Sequence, residues 1–434
     1  MKNFVTLILL LLIAPLGLQA QMGMSLQNSK NTPFISTWNT ANLFGAGPTN
    51  EIILPLKGTG DYAFTVDWGD GNTSFVTNAN MLTAATHTYA AAGIYTLTIT
   101  GKINGWQFTD PLNPVTTGQL KIIDVSQWGC LQGAGEGAFW ACSNLDVSAT
   151  DSLNVEGITS FRSQFLGCSS LTSLNVTDWD VSQGTDFANQ FLGTSLTTLD
   201  VSNWDVSQGT IFGSQFGNCS NLTTLDVSNW DVSQGDYFGW QFWGCSSLVS
   251  LDVSNWDVSQ GVVFASQFQD CTSLTTLDVS NWNVGQGTFF KEQFASCVSL
   301  TTLDVSNWDV GQGTNFQQQF TNCIGLTTLD VSNWDVGQGT NFRAQFQGCT
   351  GLTNLDVSNW DVSQATSMTS FMLGAATTTI LYDQTLINWE ALTLQPGVSV
   401  HFGSSLYTAG GAADTARTNI ITLDSWTITD GGSI

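Results

Sequence analysis

Between Gln119 and about Ala375, apolar and polar positions recur in a fixed order. Trp179, Trp204, Trp230, Trp256, Trp282, Trp308, Trp334 and Trp360 mark the period, with one step of 25 residues and six of 26. Self-similarity at such a period signals a stacked repeat architecture. Alternation in the first half of a unit predicts a short strand, with Leu225 and Val227 inward and Thr224, Asp226 and Ser228 outward. The second half spaces Phe238, Phe242 and Cys245 four and three residues apart, which predicts one short helical turn. A single unit cannot bury its own apolar edge, so the expected fold is a repeat solenoid of about ten coils, roughly 45 Å long at the usual strand spacing.

The flanks follow other rules. Residues 33–108 alternate in short runs broken by Gly, Asn and Pro, as in Tyr62, Phe64, Val66 and Trp68, which predicts an antiparallel β-sandwich. Residues 376–434 lose the period and read as a C-terminal cap, because the last repeat needs a polar outer face. Residues 1–20 carry Lys2, an apolar run from Phe4 to Pro15 and a small-residue end at Ala20, the pattern of a cleavable signal peptide. No other stretch approaches the length of a membrane-spanning helix, so an exported protein without membrane insertion is expected.

Composition narrows the partners. The formal charge is −25 and the few Lys and Arg residues are scattered, which disfavours nucleic acid and anionic membranes. Cations, neutral glycans and proteins remain.

Two resemblances rest on particular residues. Leu222, Leu225, Val227, Trp230 and Val232 follow the leucine-rich template with Trp where Asn belongs. With the following Phe238, Gln241, Phe242 and Cys245, the unit is similar to the 26-residue repeat of BspA-like leucine-rich surface proteins of bacteria. Those proteins tend to write MxxMF where this chain has Phe212, Gln215 and Phe216, a difference of packing. The segment Val66 to Gly71, with His87, Tyr89 and the strand Ile94 to Ile99, resembles the PKD family of extracellular immunoglobulin-like modules. Together these resemblances imply a fold of leucine-rich-repeat type preceded by an immunoglobulin-like sandwich, in a secreted or surface protein used for adhesion. Neither implies catalysis.

Repetition also frames the chemistry. Asp200, Asp226, Asp252, Asp278, Asp304, Asp330 and Asp356 form one outward row, and calcium bridging neighbouring carboxylates competes with water, counter-ions and nearby hydroxyls as the way to offset their repulsion. A second row, from Asp205 to Asp335 with Asn283 in one unit, suits capping of the following turn. The repeated Cys, from Cys168 to Cys349, reads as buried free thiol, since the shortened repeat holds Thr194 there. A Cys130–Cys142 bridge stays open. The Trp row reads as core, and the Gln row from Gln215 to Gln345 is either a buried amide ladder or a solvated face. No cofactor is expected. His87 and His401 lie far apart in the sequence, and every carboxylate pair has copies in its neighbours, so an enzyme, including a glycosidase, is a distant third reading.

The first reading is a binding protein with an extracellular protein or glycan partner. Its candidate residues are Asp226, Asp252 and Asp278 on the strand face, and Tyr237, Trp240 and Trp243, aromatics that interrupt the pattern in one repeat. The rival reading is a spacer without a specific ligand. A binder should show one patch that departs from the repeat average, and the variable positions are Ile211, Tyr237, Val263, Phe289, Asn315 and Asn341.

Overall fold

The computed structural model describes residues 32–42, 49–108 and 118–434. The expected signal peptide, 1–20, lies outside these residues.

The N-terminal region is built on one twisted sheet. Its strands are β1 (Phe34–Asn39), β3 (Leu56–Asp67), β4 (Thr73–Thr77) and β6 (Ile94–Trp106), ordered β4, β3, β6, β1 and all antiparallel. Alternation drives this: in β1 the buried positions are Phe34, Ser36 and Trp38, every second residue. The strands β2 (Glu51–Ile53) and β5 (Thr86–Thr88) make a separate pair, joined to the rest by a four-residue helix α1 (Met81–Ala84) and loops.

The expected immunoglobulin-like sandwich is therefore corrected. The second layer holds only that short pair, and the main sheet continues into the repeats. The outer edge of β1 is taken by β7 (Ile122–Gln127), while β8 (Leu131–Gln132) pairs β6 and β9 (Asp146–Val147) pairs β7. Residues of the repeat region also cover the sheet's apolar face. Phe34 stacks on Trp128 at 6.5 Å and Trp106 lies 6.3 Å from Phe139, ring to ring. One cluster of buried side chains runs from Phe34 to Trp426.

The repeats also depart from expectation. No residue between 119 and 375 is helical, and the sheets are short, separate and do not form a solenoid. Strands form at the predicted position in β7, β9, β10 (Thr198–Leu199) and β11 (Thr224–Leu225), the last three only two residues long. The strand ends early because Asp226 Oδ1 accepts hydrogen bonds from the Ser228 amide at 3.1 Å and its hydroxyl at 2.7 Å, turning the chain at once.

The missing helix has an equally local cause. In a helix the amides bond four residues back along their own segment. Here alternate amides leave the repeat: those of Phe212, Ser214 and Phe216 donate to the Tyr237, Gly239 and Gln241 carbonyls of the next one, each at 2.9 Å. The amides between them make tight local turns, as from Gln215 to Phe212 at 3.2 Å and from Gly217 to Ser214 at 3.1 Å. Ser214 and Asn218 both take φ of 54°, a left-handed conformation that an α-helix cannot contain. The spacing of Phe238, Phe242 and Cys245 thus puts them on one side of a zigzag of turns.

Successive repeats lie in register, so like side chains stack. Trp230, Trp256 and Trp282 follow one another at 6.3 Å with ring planes parallel within 1°. Trp256 Nε1 donates to the Val227 carbonyl of the preceding repeat at 3.0 Å. Phe238 and Phe264, and Phe242 and Phe268, form two further columns at 5.8 and 5.6 Å. Gly235 is required where it stands, because a Cβ there would meet Phe238 Cζ at 2.5 Å and the Val232 carbonyl at 3.0 Å.

At the other end, helices appear. The segment 376–434 holds α2 (Thr379–Glu390), β12 (Ser399–His401), α3 (Ala412–Leu423) and β13 (Thr427–Thr429). Tyr382, Leu386 and Trp389 share the buried face of α2, and the Trp389 ring packs near Phe371, Phe402 and Trp426. Met368 bridges Val400, and β12 pairs β13 in parallel, so the order of the repeats carries through this segment.

Candidate functional site

The Leu, Thr, Asp and Ser columns of the strand side enclose a long shallow groove. One part, about 860 Å³, is floored by Leu251, Leu277, Leu303 and Leu329, with Ser250, Thr276, Thr302 and Thr328 beside Asp252, Asp278, Asp304 and Asp330. A second part, about 430 Å³, continues it through Thr198, Asp200, Thr224 and Asp226, and the two share Ser250 and Asp252. No Lys or Arg lines either part.

Each carboxylate is fixed by its own turn. Asp252, Asp278, Asp304 and Asp330 accept at Oδ1 from the Ser amide and hydroxyl two residues later, the hydroxyl at 2.7 Å in every case. This leaves Oδ2 outside both bonds. Hydrogen bonds from Ser228 and Ser306 hold the Asp226 and Asp304 carboxyls below the usual carboxylate range. Their contribution to stability is complete above an unfolded carboxylate pKa of about 3.9 and is lost as pH falls through the lower folded values. These two carboxylates therefore keep their charge into mild acid.

Asp356 stands apart from the groove. Its Oδ1 accepts only from the Ser358 amide, at 2.9 Å, and Asn388 of α2 donates to the Ser358 carbonyl at 3.0 Å. Among the described residues, no group of three or more His, Cys, Asp or Glu side chains is arranged to hold a metal ion. The second Asp row forms turns, as Asp231 does with the Ser233 amide at 3.0 Å.

The aromatic candidates lie on a different face. Tyr237 belongs to a ladder of parallel bridges that joins Ile211, Tyr237, Val263, Phe289, Asn315 and Asn341, and the buried Trp and Phe columns lie between it and the groove. Tyr237 and Trp243 are half-buried and Trp240 is exposed. The six proposed partner-binding residues are thus two sets of three, which the structure does not bring together.

The cysteine column is buried in the core. All nine cysteines are free, Cys130 and Cys142 included. Those from Cys245 to Cys349 donate to the carbonyl of a Phe 29 residues earlier, at 2.9 to 3.1 Å. Burial pushes the thiols up, Cys219 to about 11 and Cys349 to about 12. Thiolate is the reactive form, so a thiol reagent at neutral pH is expected to modify none of the repeat cysteines in the folded chain and all of them in denaturant. Rapid labelling of the native chain would show that the column is open.

The Gln row is buried as well. Gln190 donates to Gln164 at 3.1 Å and Gln345 to Gln319 at 3.1 Å, links of a buried amide ladder that is interrupted between Gln215 and Gln241 and between Gln267 and Gln293. The signal for burial was present in the sequence, since Gln recurs directly before the inward Phe in the units from Gln164 to Gln345.

With this geometry in hand, comparison is informative. A family described as "Mycoplasma protein of unknown function, DUF285" matches residues 135–248, 212–328 and 264–389, which together span more than half of the chain. The chain belongs to the DUF285 family. The overlap of three matches reflects the repeats, each match covering several of them. No curated protein and no solved structure matches this DUF285 chain.

Proposed function

We propose that the chain is a non-catalytic binding protein, exported and held outside the cell, whose acidic groove takes a basic protein segment. The observation that carries this reading is the continuity of the groove from Asp200 to Asp330, with negative charge on one rim, hydroxyls on the other and no cation. Fixed charge arranged in this way gives selectivity for partners of opposite sign and speeds their encounter. The signal-like segment 1–20 and the resemblances to BspA-like surface proteins and PKD modules support an extracellular setting. Among the described residues, no helix is long and apolar enough to cross a membrane.

The test uses an oligolysine peptide as probe. Binding is expected to weaken steeply with salt, and Asn at Asp226, Asp252 and Asp278 together is expected to reduce affinity about tenfold or more. A control variant with Asn at Asp205, Asp231 and Asp257 changes net charge equally outside the groove. Equal losses in the two variants would reduce the effect to general charge and sink the groove reading. Near-identity of the groove residues along the array favours one second reading, a spacer, and a spacer would show no difference between wild type and either variant.

A further inference from the structure

The outer ladder departs from the repeat pattern in one place. Ile211, Tyr237, Val263 and Phe289 are four successive apolar side chains where the neighbouring repeats carry Asp186, Asn315 and Asn341. Beside them, Trp240 is 37% exposed, Val262 37% and Phe289 46%.

Two details show that the aromatic pair is built rather than incidental. Trp240 has φ of 60°, a left-handed conformation that a bulky side chain rarely adopts, and the equivalent positions hold Ser214, Ser266, Glu292, Gln318 and Ala344. A large ring is thus kept, exposed and strained, where every other repeat uses a smaller or polar side chain. Tyr237 in turn lies against the preceding repeat at Gly213, where a Cβ would come within 2.6 Å of the ring. The two rings are 6.5 Å apart with planes only 23° from parallel. They form one step of near-parallel rings with apolar neighbours on the same ladder.

We propose that this step is a binding platform for a neutral glycan chain, a second site independent of the acidic groove. Flat, rigid aromatic faces suit the apolar C–H face of a pyranose ring, because they carry partial negative charge and lose little freedom on binding. The exposed carboxylate of Asp236, next to Tyr237 in the chain, can accept from sugar hydroxyls. Charge selects against the acidic alternatives. The chain carries −25, and Lys291, the cation two residues from Phe289, is paired with Glu292 at 3.3 Å, while Arg343 lies two repeats further along, so sulfated, uronic and sialylated glycans would meet net repulsion at the aromatic pair. A ladder four repeats long offers successive apolar steps at the strand spacing of about 4.8 Å, a surface for a chain of sugars rather than a single one.

The experiment is native affinity electrophoresis of the full chain through gels containing a soluble neutral β-glucan, a neutral mannan or a polyuronic acid, with chitin oligosaccharides as soluble competitors. At least one neutral glycan is expected to retard the wild type, with no retardation by the polyuronic acid. Trp240→Ser is expected to weaken retardation about tenfold, within the range known for truncating an aromatic anchor, and Tyr237→Ser to do the same. Ser stands at the equivalent position of the two adjacent repeats, Ser214 and Ser266, in the same left-handed conformation, so that variant keeps the fold. The triple Asn variant of the groove is expected to retain full retardation, which separates failure here from failure of the groove reading. No retardation by any neutral glycan, retardation unchanged in Trp240→Ser, or binding confined to apolar peptides would overturn the proposal.

Discussion

Trp256→Ala is expected to destabilise the protein by about 3–5 kcal/mol, the range for truncating a fully buried aromatic side chain. Trp256 is 2% exposed and sits between Trp230 and Trp282 at 6.3 Å on each side. Phe238 and Phe242 are held by amide bonds to the Val263 and Gln267 carbonyls of the next repeat, and the Trp230 and Trp282 rings by bonds to the Val201 and Val253 carbonyls, so the cavity cannot close by local collapse. The substitution also removes the donor to the Val227 carbonyl. Urea denaturation of the variant should show a lower midpoint with an unchanged slope, and Trp240→Ala in the same assay should stay within about 1 kcal/mol of wild type, since that ring is exposed. Equal effects of the two substitutions would mean that the Trp column is not the interior.

Arg417→Met is expected to loosen the C-terminal segment by about 3 kcal/mol, the lower end of the range for stripping a partner from a buried charge, because the Arg417 side chain is one-fifth exposed. Asp430 is only 4% exposed at its side chain and accepts at Oδ2 from Arg417 Nε at 2.8 Å and from the Tyr382 hydroxyl at 2.7 Å. Without the guanidinium, the carboxylate stays buried with its charge unbalanced. Burial, reinforced by the charge of Asp430, pushes the Tyr382 hydroxyl above its ordinary value. Stability from Tyr382 is therefore full below pH 10 and is lost as pH rises further, the sign expected for a raised folded value. Hydrogen exchange of α2 and α3 should accelerate in the variant while the central repeats keep their protection. Uniform loss across the whole chain would show that this network supports more than the end of the protein.

The period, the inward columns and the outward rows were legible because each follows from spacing alone. Leu225 and Val227 inward, Asp226 outward and Trp230 in the core are direct consequences of a recurring pattern. The helical turn was misread for a physical reason. Spacings of four and three serve a zigzag of turns as well as a helix, and only the destination of alternate amides tells them apart. The left-handed positions gave a faint clue, since Ser214, Asn218 and Gly244 are small or turn-forming residues where a helix would favour others.

The N-terminal sheet was read as a separate sandwich because its strands alternate well on their own. Nothing local in Phe34 or Trp106 says that Trp128 and Phe139, in the repeats, would cover them. At the groove, the Asp and Ser rows were visible, but the lock between Asp226 and Ser228 went unread although the two-residue spacing is that of a side-chain turn. The split between groove and aromatic face needed three dimensions, because Asp226 and Tyr237 are close in sequence and lie on different sides of the core. The Arg417, Asp430 and Tyr382 network joins residues up to 48 apart that share no motif.

Hydrogen bonds between repeats, more than those within them, hold the zigzag in place. Residue-resolved hydrogen exchange measures this directly at Phe264, Ser266 and Phe268, whose amides donate to Phe289, Lys291 and Gln293 of the next repeat at 2.8 to 2.9 Å. These amides are expected to be protected at least as strongly as the intervening Gln267 amide, whose bond to Phe264 is local at 3.3 Å. Fast exchange at Phe264, Ser266 and Phe268 beside slow exchange at Gln267 would contradict it.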